Sequence, residues 1–91
     1  MKENTKVNAG RRLARVEGQV RALRRMVDED KYCIDIVRQV QAARAALASL
    51  ESVIIDDHIQ TCVHHAITEG GTSDREAKVA ELVDVMRGVK K

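Results

Sequence analysis

Apolar and polar residues alternate along the chain with the period of an α-helix in three segments. In residues 7–28 the apolar side chains recur mostly three or four positions apart, at Leu13, Val16, Val20, Leu23, Met26 and Val27, which is the spacing of one helix face. The acidic cluster at 28–30 ends this segment, and we expect Asp30 to cap the next helix. A longer helix is predicted over residues 32–68, which contain neither glycine nor proline to interrupt it.

Local motifs predict where the second helix ends and the third begins. We expect the glycines at 70–71 to end the second helix, with glycine supplying a left-handed C-terminal cap. The run SDRE at 73–76 has the pattern of a capping box, with Ser73 as the cap and Glu76 three residues later. A third helix is therefore predicted from this box to about residue 89, and its apolar positions are Val79, Leu82, Val83, Val85 and Met86.

The composition also favours an all-α fold. The chain has one aromatic residue, Tyr32, and no Trp, Phe or Pro, so its core is expected to be aliphatic and built between helices. Residues 1–91 make one small domain, in which we expect 1–6 to be flexible and self-association to support a marginal core. No apolar run has the length of a membrane span or a signal peptide, so we expect a cytoplasmic protein without a membrane partner.

Charge is unevenly distributed along the chain. Residues 1–25 hold eight Lys and Arg against two Glu, a net charge of +6, whereas residues 26–91 hold eight basic against twelve acidic residues, a net charge of −4. A basic segment of this kind indicates an anionic partner, and nucleic acid is the first candidate. The alternative is an ordinary solvated helix face.

Two cysteines and one histidine have a spacing that suggests a shared metal site. In an uninterrupted helix, His58 and Cys62 would each lie within about 20° of Cys33 around the axis. The helical rise, however, puts Cys33 about 38 Å from His58, and metal–ligand bonds are only about 2 Å long. An antiparallel second chain that crosses near Ala46 and Leu47 would bring Cys33 of one chain to His58 and Cys62 of the other, with twofold symmetry.

The types of donor atom indicate which metal such a site would bind. Two thiolates and one imidazole suit Cu(I), whereas Zn(II) usually requires a fourth ligand. We expect His64 and His65 not to be ligands. One alternative is a pair of small buried cysteines at a helix interface. A thiol enzyme with Cys62 as nucleophile and His58 as base is disfavoured, because no oxyanion site or substrate pocket is recognisable; we therefore expect no enzymatic activity and no small-molecule substrate.

With these residues in view, the chain resembles the copper-sensitive operon repressor family over roughly residues 8–89. The resemblance is carried by RRLARVEGQVRALRRMVDEDKYCIDIVRQVQAA, DDHIQTCVHHAI and AELVDVM. It implies a three-helix protomer with a long second helix, which forms an antiparallel dimer and then a disc-shaped tetramer of two such dimers. It also implies a repressor that binds operator DNA without metal and releases it when Cu(I) binds, so that copper-export genes are expressed.

The ligand positions distinguish the branches of that family. Cys33, His58 and Cys62 match the ligands of the copper sensors. At the position of Cys62, nickel and cobalt sensors have histidine and formaldehyde sensors lack the cysteine. Persulfide sensors lack the histidine that corresponds to His58. Tyr32 and Glu81 match positions that hydrogen-bond the far nitrogen of the metal-bound histidine, as metal-bound histidines commonly require. A sensor of persulfide, oxidants or aldehydes that uses Cys33 and Cys62 is the alternative within the family.

The resemblance also indicates how DNA is bound. Arg12 and Arg15 match first-helix residues that contact DNA on a basic face of the tetramer, and we expect Arg11 and Lys6 to join them. Phosphate contacts by such residues supply much of the affinity and make it salt-dependent. Some copper-sensing relatives have a further basic residue in the second helix where this chain has Ser49.

Overall fold

Helices make up almost all of the chain in this computed structural model, which describes residues 1–88. The elements in order are α1 (Glu3–Asp28), α2 (Cys33–His58), a π-helix (Ile59–Val63), α3 (His64–Glu69) and α4 (Thr72–Arg87). The described residues contain no strand, so the predicted all-α fold is confirmed. Within residues 1–88 no helix is both long and apolar enough to cross a membrane.

The chain divides into two compact units, Met1–Ile55 and Asp56–Lys91, which are described separately; the single domain expected from the sequence stays a prediction. In the first unit α1 packs against the adjoining part of α2 as an antiparallel hairpin. The side chain of Arg12 on α1 reaches Ser49 on α2, 37 residues away in sequence. The core of this unit consists of small and medium aliphatic side chains, each no more than 7% exposed: Ala9, Val16, Ala43 and Leu50.

The end of α1 differs from the sequence prediction. Asp30 does not cap α2, which begins only at Cys33; it adopts the left-handed conformation with φ 54°. The backbone N–H of Asp30 donates to the Val27 carbonyl at 3.1 Å, and that of Lys31 donates to the Met26 carbonyl at 2.9 Å. These two bonds form a Schellman motif, which satisfies carbonyls that a helix end leaves free. The start of α1 at Glu3 lies four residues before the predicted one.

The second unit contains the π-helix, α3 and α4, which contact one another. Val63 and Ala66 are its buried apolar residues, 4% and 1% exposed. The π-helix interrupts the continuous α-helix that was predicted over residues 32–68, so that prediction is wrong in this respect. At the interruption the Thr61 hydroxyl donates to the Asp57 carbonyl at 2.9 Å, a side-chain bond that competes with the regular helical ladder and bends helices.

The turn between α3 and α4 is built differently from the predicted one. Gly70 follows α3 in an extended conformation, with φ −84° and ψ 166°, and not in the left-handed one. Gly71 is the N-cap of α4, and no side chain caps this helix, so the predicted capping box at Ser73 is wrong. Gly88, with φ 77°, follows the last residue of α4. The predicted end of the third helix at about residue 89 lies outside the described residues.

The hairpin of the first unit leaves apolar side chains uncovered on both of its helices. On α2 these are Val40, Leu47 and Ile54, which are 40%, 45% and 37% exposed and lie seven residues apart; we call them the outer stripe. On α1 the corresponding residues are Leu13, Val20 and Val27, which are also seven residues apart and 46%, 52% and 57% exposed. Residues seven apart lie on the same side of a helix, about two turns from each other.

Candidate metal site and basic face

Cys33 is the first residue of α2 and an exposed free thiol. The preceding residue, Tyr32, provides the first acceptor of the helix, because its carbonyl accepts the backbone N–H of Ile36 at 3.2 Å. The Tyr32 side chain is 69% exposed. The Schellman turn that ends α1 thus delivers both side chains to the surface of the first unit.

His58 and Cys62 lie together at the start of the second unit. His58 is the last residue of α2 and is half-buried, and Cys62 lies in the π-helix as an exposed free thiol. The hydroxyl of Thr61 lies 3.7 Å from the Cys62 sulfur and 2.9 Å from the Asp57 carbonyl oxygen. Since a hydroxyl has a single proton, the shorter bond takes it, and the sulfur stays available to another ligand.

The π-helix changes the angular relation that the spacing predicts. A π-turn closes its hydrogen bond over five residues where an α-turn closes it over four, so angles calculated at 100° per residue hold only as far as His58. Cys33 and His58 are the first and last residues of α2, and their predicted alignment stays a prediction. The predicted angle between Cys33 and Cys62 assumed an uninterrupted α-helix and is not retained. Single π-turns inside helices occur frequently at functional sites.

A cavity of about 540 Å³ lies beside Cys62 in the second unit. It is lined by residues of the π-helix, α3 and α4: Thr61, Cys62, His65, Ala66, Asp74 and Lys78. The imidazole of His65 is 3.5 Å from the Glu69 carboxylate, and both side chains are exposed. Within residues 1–88 no three His, Cys, Asp or Glu side chains of one chain are grouped as a metal site. Glu81 is an exposed residue of α4, and its predicted bond to His58 stays a prediction.

The basic residues predicted from the sequence gather at one part of α1. Asn8, Arg11, Arg12 and Arg15 line a cavity of about 200 Å³, and Lys6 is an exposed residue of the same helix. The guanidinium of Arg12 donates through Nε to the Asn8 side-chain oxygen at 3.1 Å and through Nη1 to the Ser49 hydroxyl at 3.0 Å.

The hydrogen bonds of Arg12 to Asn8 and Ser49 were not predicted from the sequence. Asn8 could have been found, because it precedes Arg12 by four residues and such pairs meet on a helix surface. Ser49 gave no such signal, because it meets Arg12 only through the packing of the hairpin. The π-helix also had no sequence signal, since the segment contains neither glycine nor proline.

Comparison with known sequences decides the family. The sequence profile of the family described as "Metal-sensitive transcriptional repressor" matches residues 5–88, which is nearly the whole chain. The chain belongs to this family. The resemblance found in the sequence is thereby confirmed. The expectation that the protein is a transcriptional repressor and not an enzyme is confirmed as well, because the family consists of such regulators.

Two relatives illustrate the similarity. The copper-sensing transcriptional repressor RicR of Mycobacterium tuberculosis is 47% identical over 76 residues, which cover 84% of this chain and 78% of RicR. The copper-sensing transcriptional repressor CsoR of Bacillus subtilis is 42% identical over 76 residues, which cover 84% of this chain and 72% of CsoR.

Solved structures of three regulators are also similar. The Cu(I)-containing CsoR of Geobacillus thermodenitrificans superimposes with a TM-score of 0.84 at 38% identity, covering 96% of this chain and 88% of that one. For the nickel-responsive regulator InrS the TM-score is 0.75 at 35% identity, with 86% and 88% covered. For a variant of the formaldehyde-responsive regulator FrmR from Salmonella enterica it is 0.77 at 28% identity, with 94% of each chain covered.

Proposed function

We propose that the chain is a Cu(I)-responsive repressor, which binds operator DNA in its metal-free form and releases it on binding Cu(I). The ligands are Cys33 of one chain and the partner subunit's His58 and Cys62, so each site requires two chains. The protein acts in the cytoplasm as a homotetramer of two antiparallel dimers and controls copper-export genes. Membership of the metal-sensitive repressor family and the copper-sensing relatives support this class of function.

The observation that carries the proposal is the distribution of the donors along α2. Cys33 is the first residue of this helix, His58 is its last, and Cys62 follows four residues later. Twenty-five residues of α-helix rise by about 38 Å, whereas bonds from a metal to sulfur or nitrogen are about 2.0–2.3 Å long. A second chain that runs in the opposite direction therefore has to supply the missing sulfur.

The outer stripe of α2 supports this pairing, because it is apolar and uncovered in the single chain. Its members follow Cys33 at intervals of seven residues, with a drift of about 20° around the axis at each interval, so they lie on the same side of the helix as that cysteine. The stripe is symmetric about Leu47. A twofold axis at Leu47 brings Cys33 of one chain to the level of Thr61 in the other, between the partner subunit's His58 and Cys62. The covering of the stripe and the assembly of the metal site thus require the same arrangement.

The donor set fits Cu(I). Both cysteines are exposed free thiols, and the imidazole of His58 makes no hydrogen bond within the part of the chain that the structure describes. Two soft thiolates and an imidazole satisfy Cu(I), and the two thiols lose their protons as the metal binds. When bound, the metal would join the two chains. His58 would then donate its other N–H to an acceptor, for which Tyr32 and Glu81 are the candidates.

The arginines of α1 supply the DNA contacts in this proposal. Arg11, Arg12 and Arg15 line one cavity, and Lys6 is on the same helix. Phosphate contacts of this kind carry no sequence information but dominate the affinity and its salt dependence.

An alternative inducer is supported by one specific observation, which is that both cysteines of the chain are exposed and free. In the same dimer Cys33 and Cys62 would meet across the two chains. A small-molecule persulfide would transfer its outer sulfur to one cysteine and leave as a thiol. The second cysteine would then displace hydrogen sulfide and form the disulfide, or a polysulfide bridge would form if further sulfur had been transferred. An aldehyde could instead modify a single thiol. Structurally similar regulators respond to nickel and to formaldehyde, so the inducer of this chain has to be identified by titration.

The main test is an anaerobic titration of Cu(I) into the reduced protein. A DNA duplex is first recovered from a random library by repeated selection with the metal-free protein, and its binding is then followed by fluorescence anisotropy. We expect one Cu(I) per chain to abolish DNA binding. Release by persulfide or formaldehyde but not by Cu(I) would favour the alternative, and an unresponsive complex would contradict both.

A mixture of two variants tests whether the site is shared between chains. A Cys33→Ala chain and a His58→Ala, Cys62→Ala chain should each lose tight Cu(I) binding. Mixed and refolded together, they form heterodimers with one complete site of the two, so tight binding should reappear at one Cu(I) per heterodimer. If the mixture binds no better than its components, the ligands do not come from two chains.

A further inference from the structure

The guanidinium of Arg12 is held by two side chains that carry no charge. Its Nε donates to Oδ1 of Asn8 at 3.1 Å, and its Nη1 donates to Oγ of Ser49 at 3.0 Å. Asn8 lies one turn earlier on α1, and Ser49 lies on α2, so both helices of the hairpin fix the same group. Arg12 itself is half-buried. A long, flexible side chain is therefore restrained to one orientation.

The positive charge of Arg12 stays available to an external anion. The ion pairs from Lys31 to Glu29 and from His65 to Glu69 do not involve this arginine, whose hydrogen bonds both go to uncharged groups. A guanidinium has five N–H donors in a planar fork, and the two internal bonds use two of them. Three donors remain for an incoming group, which is enough for the two parallel bonds that arginine makes to a phosphate.

Two neighbouring cavities share Arg12 and Arg15 as wall residues. The first, of about 200 Å³, is completed by Asn8 and Arg11. The second, of about 260 Å³, lies between the helices and is completed by Ala45, Ala46 and Ser49. Three arginines thus converge where the internal bonds of Arg12 hold its side chain, and an anion is the ligand that such a group of charges favours.

We propose that Ser49 is a positioning residue for DNA binding, which holds Arg12 in the orientation that contacts a phosphate of the backbone. This inference rests on the proposed function, because it presumes that the basic face binds DNA. Ser49 contributes no charge to the interface. Its hydroxyl accepts a hydrogen bond from Arg12 and thereby reduces the conformational freedom that the arginine would otherwise lose on binding. An acidic residue at this position would order the arginine equally well but would neutralise it.

Four variants test the role of Ser49 with the selected duplex and the metal-free full-length chain. Ser49→Ala should weaken DNA binding about three- to tenfold, which corresponds to the entropy cost of ordering one long side chain on binding. Ser49→Thr keeps the hydroxyl and should restore wild-type affinity. Ser49→Asp should weaken binding more than Ser49→Ala. Ser52→Ala removes an exposed hydroxyl from the same helix and should have no effect.

The salt dependence separates positioning from direct contact. Arg12→Ala should lower the slope of log K against log salt concentration by about 1 for each phosphate that Arg12 binds. Ser49→Ala should leave this slope unchanged, because the arginine is still present. In a chain that already carries Arg12→Ala, the further change Ser49→Ala should have no effect on affinity, since the two residues act as one unit. Circular dichroism and sedimentation of each variant establish that fold and assembly are retained.

The two proposals fail in different ways. If the wild-type chain enriches no duplex from the library, the DNA-binding function itself is wrong. If the wild-type chain binds but Ser49→Ala binds equally well, or if Ser49→Ala weakens binding by the same factor with and without Arg12, Ser49 does not act through Arg12. A lower salt slope in Ser49→Ala would also overturn the inference, because it would mean that the variant neutralises fewer phosphates than the wild type.

Discussion

Leu47 provides a direct test of the antiparallel pairing, because in the proposed dimer it meets its own copy at the twofold axis. The side chain is 45% exposed in the single chain. Full burial of a leucine is worth about 1.5–3 kcal/mol, so covering the exposed part contributes about 0.7–1.4 kcal/mol per chain. Symmetry doubles this to about 1.4–2.7 kcal/mol per dimer. Since about 1.4 kcal/mol corresponds to a factor of ten, Leu47→Ala should weaken dimerisation roughly ten- to a hundredfold.

Sedimentation equilibrium over a dilution series measures the dissociation constant directly, with two further variants as controls. Gln41→Ala truncates an exposed residue away from the outer stripe and should associate like the wild type. Leu50→Ala removes the same atoms as Leu47→Ala, but from a residue that is only 7% exposed. Leu50→Ala should therefore act on folding, and we expect it to lower the free energy of unfolding by about 2–5 kcal/mol. If Leu47→Ala associates as tightly as the wild type, or if Gln41→Ala weakens association as much, α2 does not pair along this stripe.

Two backbone predictions can be checked by urea denaturation, followed by circular dichroism at one protein concentration. Asp30→Gly should raise the free energy of unfolding by about 1 kcal/mol, because the φ of 54° strains a residue with a Cβ. Glu29 has an ordinary φ of −94°, so Glu29→Gly relieves no strain and should lower the free energy of unfolding by up to about 1 kcal/mol. Gly70→Ala should lower it by about 2 kcal/mol, because the new methyl group would lie 2.8 Å from the Ala66 carbonyl oxygen, which belongs to the backbone and cannot turn away as the Asp74 carboxylate can. Gly71→Ala meets no atom within 4 Å and should cost less than about 1 kcal/mol. Equal effects within either pair would contradict the reasoning.

The helices were predictable from the sequence because their signal is local, whereas their ends were not. An acidic residue such as Asp30, placed between two helical segments, fits an N-cap of the second helix and a left-handed residue after the first. Only the two backbone bonds of the Schellman motif decide between these roles. At the other turn, Gly71 starts α4 ahead of Ser73, so the residues of the predicted capping box lie inside the helix.

The candidate ligands were chosen on a spacing that assumes a regular helix. Cys33 and His58 are the two ends of α2, which satisfies this assumption for the first interval, while their role as ligands stays a prediction. Cys62 lies beyond that helix, in a π-helix where the Thr61 hydroxyl donates to the Asp57 carbonyl. No residue type in this segment predicts such an element. The hydrogen bond from Arg12 to Ser49 was also not predictable from the sequence, because it depends on the register between α1 and α2.

In the proposed function, the division of the candidate residues between the two units gives a physical reason for metal and DNA to oppose each other. Cys33 and Arg12 belong to the first unit, and His58 and Cys62 belong to the second. In the proposed function, a metal held by donors of two chains would join the first unit of one chain to the second unit of its partner. The arginines that are proposed to contact DNA belong to that first unit. If metal and DNA favour different arrangements, each weakens the other by the same factor. The affinity for Cu(I) must therefore be lower in the DNA complex by the same factor by which Cu(I) lowers the affinity for DNA. Equal Cu(I) affinity with and without DNA would contradict the release of DNA by Cu(I).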